Sequence, residues 1–222
     1  MRKRGLPAAI ALAAAVIGGA CGGGGGSDAE VRVFHAAIDA PPVQYCVDVC
    51  DEGAPAGAAR FAAAAAYLPL SSGDHNILIR GADGRANFDL PLALEGGERR
   101  TIILRQGQGS SMQTLLLRDQ RETPAAGRAV VRVVNALHLA GPLEVFLDGR
   151  SIGMSSPGDA QPVYSDVTAG SRDLRIQDAR GGVVRYEARI TLAERGCHSL
   201  VLTGEIDYLA LAVMHDDCSG RQ

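Results

Sequence analysis

Tryptophan is absent from this 222-residue chain, and Phe, Tyr and Trp together make up only 4% of it. A sugar-binding platform of several stacked rings is therefore not expected. Tyr45, Tyr67, Tyr164, Tyr186 and Tyr208 stand singly and read as core or tyrosine-corner residues. Lysine occurs once, at Lys3, and the dominance of arginine is read as base composition of the genome rather than as a chemical requirement. No apolar run reaches the roughly 20 residues that a membrane-spanning helix needs. CxxC, HExxH and GxSxG are all missing, and His35, His75, His138, His198 and His215 include no closely spaced ligand pair. No catalytic residue, no metal site and no cofactor is therefore expected.

What the N-terminus does contain is an export signal, residues 1–20. Arg2, Lys3 and Arg4 precede an apolar run from Leu6 to Ile17, about 12 residues long, and Gly18-Gly19-Ala20-Cys21 follows. That order predicts a lipoprotein whose mature chain begins at a lipidated Cys21. The position three before the cysteine is Gly18, where a lipobox usually carries Leu, so an ordinary signal peptide releasing a soluble protein is the alternative. The glycine-rich stretch over 21–29 reads as a flexible tether that lets a folded domain stand off a membrane. As a phosphate-binding loop it would need a following Lys-Ser/Thr, which is not there. Gly22, not Asp, comes after the cysteine, which points to the outer membrane. Without Arg2, Lys3 and Arg4 the 22 basic residues fall to 19 against 25 acidic ones, a net charge near −6. Nucleic acid is not an expected partner of such a surface.

The rest of the chain states one pattern twice. Val31-Arg32-Val33, Ala36, Ala40, Pro42 and Asp48 line up with Val131-Arg132-Val133, Ala136, Ala140, Pro142 and Asp148. Tyr67 and Gly73 then match Tyr164 and Gly170, and Ile102 to Leu104 match Leu200 to Leu202. Repetition on this scale predicts two tandem domains, 30–120 and 129–218, joined by a short polar linker over 121–128, with a tail at 219–222. Within each repeat the apolar period is two, as in Val43, Tyr45 and Val47 or Leu143, Val145 and Leu147. Turn signals such as Asp83-Gly84, Asp148-Gly149 and Gly181-Gly182 separate the runs. The expected fold is all-β, two immunoglobulin-like antiparallel β-sandwiches of about seven strands each. The last two strands of each repeat, near 101–104 with 113–117 and 199–203 with 209–214, are the most continuously apolar and are expected at sheet centres. The five alanines Ala62 to Ala66 favour helix, and at most one helical turn is expected there.

Four cysteines remain after Cys21, and an even number in an exported chain is read as disulfides. Cys46 and Cys50 flank a tight turn. Cys197 opens a strand whose hairpin partner ends at Cys218. The preferred pairs are Cys46 with Cys50 and Cys197 with Cys218, although four cysteines allow three pairings, and a zinc site is the runner-up reading. His35 shares its repeat position with Asn135, and a polar residue that caps a strand end accounts for both. Asp39, Asp48 and Asp148 read as turn residues that bond their own backbone. His215-Asp216-Asp217, brought near His198 by the second disulfide, reads as a solvated strand end.

The opening of each repeat, Val31-Arg-Val-Phe-His-Ala with Asp39-Ala-Pro-Pro-Val and Val131-Arg-Val-Val-Asn-Ala with Pro142-Leu-Glu-Val-Phe-Leu-Asp-Gly149, resembles the bacterial domain-of-unknown-function family numbered 4397. The resemblance implies exported tandem β-rich repeats and assigns no catalytic residue. The functional expectation is a non-catalytic envelope lipoprotein, held to the membrane by lipid on Cys21, with a binding, adhesion or surface-structural role. An accessory subunit of an envelope complex and a metal-dependent envelope hydrolase are the alternatives.

Overall fold

In the computed structural model, residues 28–50, 55–81, 87–107, 111–119, 122–138, 140–159 and 162–218 are described. The export signal, Cys21 with the glycines that follow it, Arg121, Asp83-Gly84 and the 219–222 tail lie outside them. The described residues form strands and connections without an α-helix. Among them there is thus no helix long and apolar enough to cross a membrane.

The first half carries β1 (Ala29–His35), β2 (Val43–Val47), β3 (Gly57–Ala59), β4 (Ala63–Ala64), β5 (Leu68–Leu70), β6 (Gly73–Gly81), β7 (Asn87–Leu94), β8 (Arg99–Gln106) and β9 (Met112–Arg118). The second carries β10 (Arg128–Asn135), β11 (Leu143–Leu147), β12 (Arg150–Ser155), β13 (Ser165–Thr168), β14 (Gly170–Asp178), β15 (Val184–Leu192), β16 (Cys197–Glu205) and β17 (Tyr208–Asp216). They make four open sheets, two from each half. One runs β4-β1-β8-β9 with β5 also on β1, and one β3-β2-β6-β7; their counterparts are β13-β10-β16-β17 and β12-β11-β14-β15.

Period-two alternation explains how these sheets pack. One core joins the two sheets of the first half through Val31, Val33, Tyr45, Ile77, Leu92 and Ile102. An equivalent core joins the two sheets of the second through Val131, Val145, Leu174, Ile176, Leu192 and Leu200. Residues of opposite parity on the β1 and β10 sheets turn outward, and they meet each other. Phe34, Ile103, Leu117, Val134, Val201 and Met214 form a third buried cluster that joins the halves.

Three expectations change. The sheets are not purely antiparallel, because β1 pairs with β8, and β10 with β16, in parallel. β9 and β17 are terminal strands, not central ones. Their apolar sequences come from burial on both faces, one against their own core and one against the other half. The alanine run holds no helical turn: Ala63 pairs with His35 and Ala64 with Phe34 as β4, and Ala65 donates to the Val33 carbonyl at 2.8 Å. The unpaired edge of β1 outweighs the small helix preference of alanine, which amounts to a few tenths of a kcal/mol per residue.

Both disulfides are formed, Cys46 with Cys50 and Cys197 with Cys218. Between the first pair Asp48 takes a left-handed backbone, as Asp148 does at the matching turn. These aspartates do not bond their own backbone. Asp48 accepts from the Asn76 amide at 2.8 Å and Asp148 from the Asp173 amide at 2.9 Å, so each ties its hairpin to the neighbouring strand.

Candidate functional site

Each repeat places one arginine inside an apolar strand, Arg32 on β1 and Arg132 on β10. Their apolar neighbours turn toward the cores, so both guanidinium groups point into the junction between the halves, where they are 4% and 1% exposed. A cation buried that deeply needs partners, since an unpaired one costs several kcal/mol. The partners are supplied crosswise. Arg32 pairs with Asp216, at the end of β17, and donates to the His215 carbonyl at 2.9 Å. Arg132 pairs with Asp119, just past β9, and donates to the Arg118 carbonyl at 2.8 Å.

The carboxylates are completed from within their own halves. Asp119 accepts from Tyr67 at 2.8 Å and Thr101 at 2.6 Å, and Asp216 accepts from Tyr164 at 2.8 Å and Ser199 at 2.6 Å. Thr101 and Ser199 in turn accept from the Nε groups of Arg32 and Arg132, at 2.9 and 2.6 Å. Each tyrosine ring also lies under an arginine, Arg32 4.4 Å from the centre of Tyr67 and Arg132 4.8 Å from that of Tyr164. Burial and then the adjacent Asp119 charge push the Tyr67 phenol far above its ordinary range, and burial with Asp216 does the same for Tyr164. Both therefore stay protonated and donate. Burial alone would lower the pKa of Arg132, but the Asp119 and Asp216 charges outweigh it and the net direction is up.

This ring of charge joins side chains that the sequence presents singly. Tyr67 and Tyr164 belong to it, but Tyr45 lies in the first core and Tyr208 is exposed. Asp216 is not a solvated strand-end residue: it is 3% exposed and holds Arg32. The signal in the sequence is the matched Arg32 and Arg132, since a charge repeated inside an apolar strand has to be buried against something.

Around the ring the halves differ. In the first half Arg99 pairs with Glu30 and, across the junction, with Asp217, and at the matching place in the second half the Cys197–Cys218 bridge packs against Val130 and Tyr164. His35 and Asn135 cap equivalent bends, taking the amides of Ala37 at 3.3 Å and Leu137 at 3.2 Å. His215 and Asp217 are exposed, as a strand end would have them, whereas the neighbouring His198 is wholly buried and stacks edge-on against His215 with ring centres 4.6 Å apart. Among the described residues neither ring nitrogen of His198 makes a hydrogen bond of ordinary geometry, and burial followed by the nearby His215 holds its pKa below the ordinary histidine value. Among the described residues no three His, Cys, Asp or Glu side chains converge to hold a metal ion.

The second half also has an open groove of about 440 Å³ between β12 and β13. Leu147, Ile152 and Val167 contribute its apolar lining, beside charged residues of both signs.

The model of the family described as a domain of unknown function (DUF4397) matches residues 29–146, more than half of the chain. No curated protein sequence matches. Among solved structures, the Bacillus anthracis TIE protein is similar at 10% identity and a TM-score of 0.26, over 81% of this chain and 34% of that one. This chain thus spans about a third of the TIE protein's length. CBMbc, a family CBM26 module of Eubacterium rectale Amy13K solved with maltoheptaose, is similar at 13% identity and a TM-score of 0.28, over 84% of this chain and 96% of that one. At such scores neither likeness bears on fold or ligand. The family match begins in β1, takes in the whole first half and both Val-Arg-Val strands, and ends in β11, and by that match the chain belongs to the DUF4397 family.

Proposed function

We propose that this protein is a non-catalytic lipoprotein of the bacterial cell envelope, anchored through Cys21, whose repeats act together as one rigid binding or surface-structural body. Residues 30–120 and 129–218 each form one immunoglobulin-like domain, and 121–128 connects them. The observation that carries this reading is the buried ring of Arg32, Arg132, Asp119 and Asp216. Among the described residues it gathers several chemically able side chains, and its donors and acceptors are engaged in holding the halves together. Two disulfides support an oxidising, exported location. Docking to a larger envelope complex is a second reading, favoured by Met154 and Val163, 72% and 82% exposed beside one shallow depression.

Two measurements test the proposal. Labelled palmitate fed to growing cells is expected to enter the wild type and not Cys21→Ser; equal labelling of both, or of neither, overturns the anchor. Purified protein is expected to turn over no ester, phosphoester, glycoside or peptide substrate, with or without added zinc. Turnover that survives repurification overturns the non-catalytic reading.

A further inference from the structure

The groove between β12 and β13 is where the repeats part company. Both strands end their sheets, so each keeps one unpaired backbone edge. The scaffold around them is shared. Asp148 accepts from the Asp173 amide and Arg172, as Asp48 accepts from the Asn76 amide and His75. The lining is not shared. Where the second half has Arg150 the first has Cys50, locked to Cys46, and where the second has Ser165, Asp166 and Val167 the first has Leu68, Pro69 and Leu70.

Arg128, Arg150 and Arg172 stand around the groove with Asp148 and Asp166. Both aspartates are already taken, Asp166 by Arg128 and Asp148 by Arg172, each at 3.0 Å. Arg150 is exposed, and its guanidinium group makes no hydrogen bond or ion pair among the described residues. A cationic excess beside apolar Leu147, Ile152 and Val167, on a chain whose formal net charge is −3, selects for an anion that also presents apolar groups. The four residues of β13 all line the groove, and their free edge selects for a backbone.

We propose that the groove binds an extended acidic peptide segment of a partner protein, which adds as a strand to the free edge of β13 and gives a carboxylate to Arg150. Main-chain pairing supplies affinity, and the strand's alternation places apolar side chains on Val167 and Ile152 with acidic ones at the rim. The inference rests on the reading of the chain as a binding body and names the class of partner.

The probe is a fluorescein-labelled acetylated peptide of alternating Glu and Val, six residues long, titrated into the mature protein while anisotropy and amide chemical shifts are followed. Saturable binding that weakens with salt is expected, with shifts concentrated in Ser165–Thr168 and around Arg150. Arg150→Glu should weaken it about tenfold or more, and methylating alternate peptide nitrogens should abolish it. Arg150 lies on the surface, and an unchanged circular dichroism melt of the variant confirms its fold. No saturation, equal binding of a Lys-Val peptide, or undiminished binding of the methylated peptide overturns the proposal. So does binding of oligogalacturonate in place of the peptide, which would make the groove a site for acidic glycans. None of these failures touches the palmitate and turnover results on which the broader reading stands.

Discussion

Asp119 and Asp216 each take an arginine from the opposite half and a tyrosine and a hydroxyl from their own. A buried ion pair of this kind adds little net stability over apolar packing, because both ions were desolvated to form it, but removing one member strands the other. Asp216→Ala should therefore cost about 3–5 kcal/mol in urea denaturation. Adding Arg32→Met to it should cost less than the sum of the two single changes, because the stranded cation is then gone. His198 makes a pH-dependent contribution of definite sign. Its folded pKa lies below the unfolded value of about 6.5, so the unfolded chain takes up the proton first. The stability is present above that value and is lost as pH falls from it toward the lowered folded pKa. His75, raised first by its bond to Asp48, works in the opposite direction. The quantity to measure is thus the wild type minus His198→Leu difference in urea midpoint, which should shrink between pH 7.5 and pH 5.

Hairpin ends and strand alternation are local properties, and they were the legible part of this molecule. Cys197 and Cys218 close a hairpin from its ends, and Cys46 and Cys50 clasp a turn, so the spacing already holds the pairing. On loop-closure entropy, replacing Cys197 and Cys218 with alanine should lower stability by roughly 3 kcal/mol and replacing Cys46 and Cys50 by roughly 2 kcal/mol. Urea titrations of the two double variants check the order. The larger loss should also weaken the Arg32 pair, because Cys218 follows Asp216 by two residues. What could not be read locally is which surface covers an apolar face. β9 and β17 have the composition of central strands, yet sit at sheet edges because the other half supplies their second cover. Ala62 to Ala66 shows the same limit from the other side, since the vacant edge of β1, distant in sequence, decides the conformation.

At the scale of the whole chain, the third apolar cluster and the charged ring make the halves one body. Ile103 is wholly buried there, facing the other half and not its own core. Ile103→Lys should split a single calorimetric unfolding transition into two and increase the radius of gyration in solution scattering, while both disulfides still form. One transition with unchanged scattering would mean that the halves do not depend on that contact. The repeat itself was legible from aligned residues, but Arg32 and Arg132 showed only that something must neutralise them. Asp119 and Asp216 lie 87 and 184 residues from Arg32 by number, and no spacing rule connects them to it. The reciprocity of these contacts, Arg32 with Asp216 and Arg132 with Asp119, has the form of an isologous dimer in which each subunit offers its partner the same patch. In that light the chain is built like a homodimer whose two subunits share one polypeptide. A true homodimer must carry every substitution twice, whereas a fused one can change one copy alone. Arg99 opposite Cys197, and a disulfide-bonded Cys50 opposite Arg150, are differences that only the fused form permits.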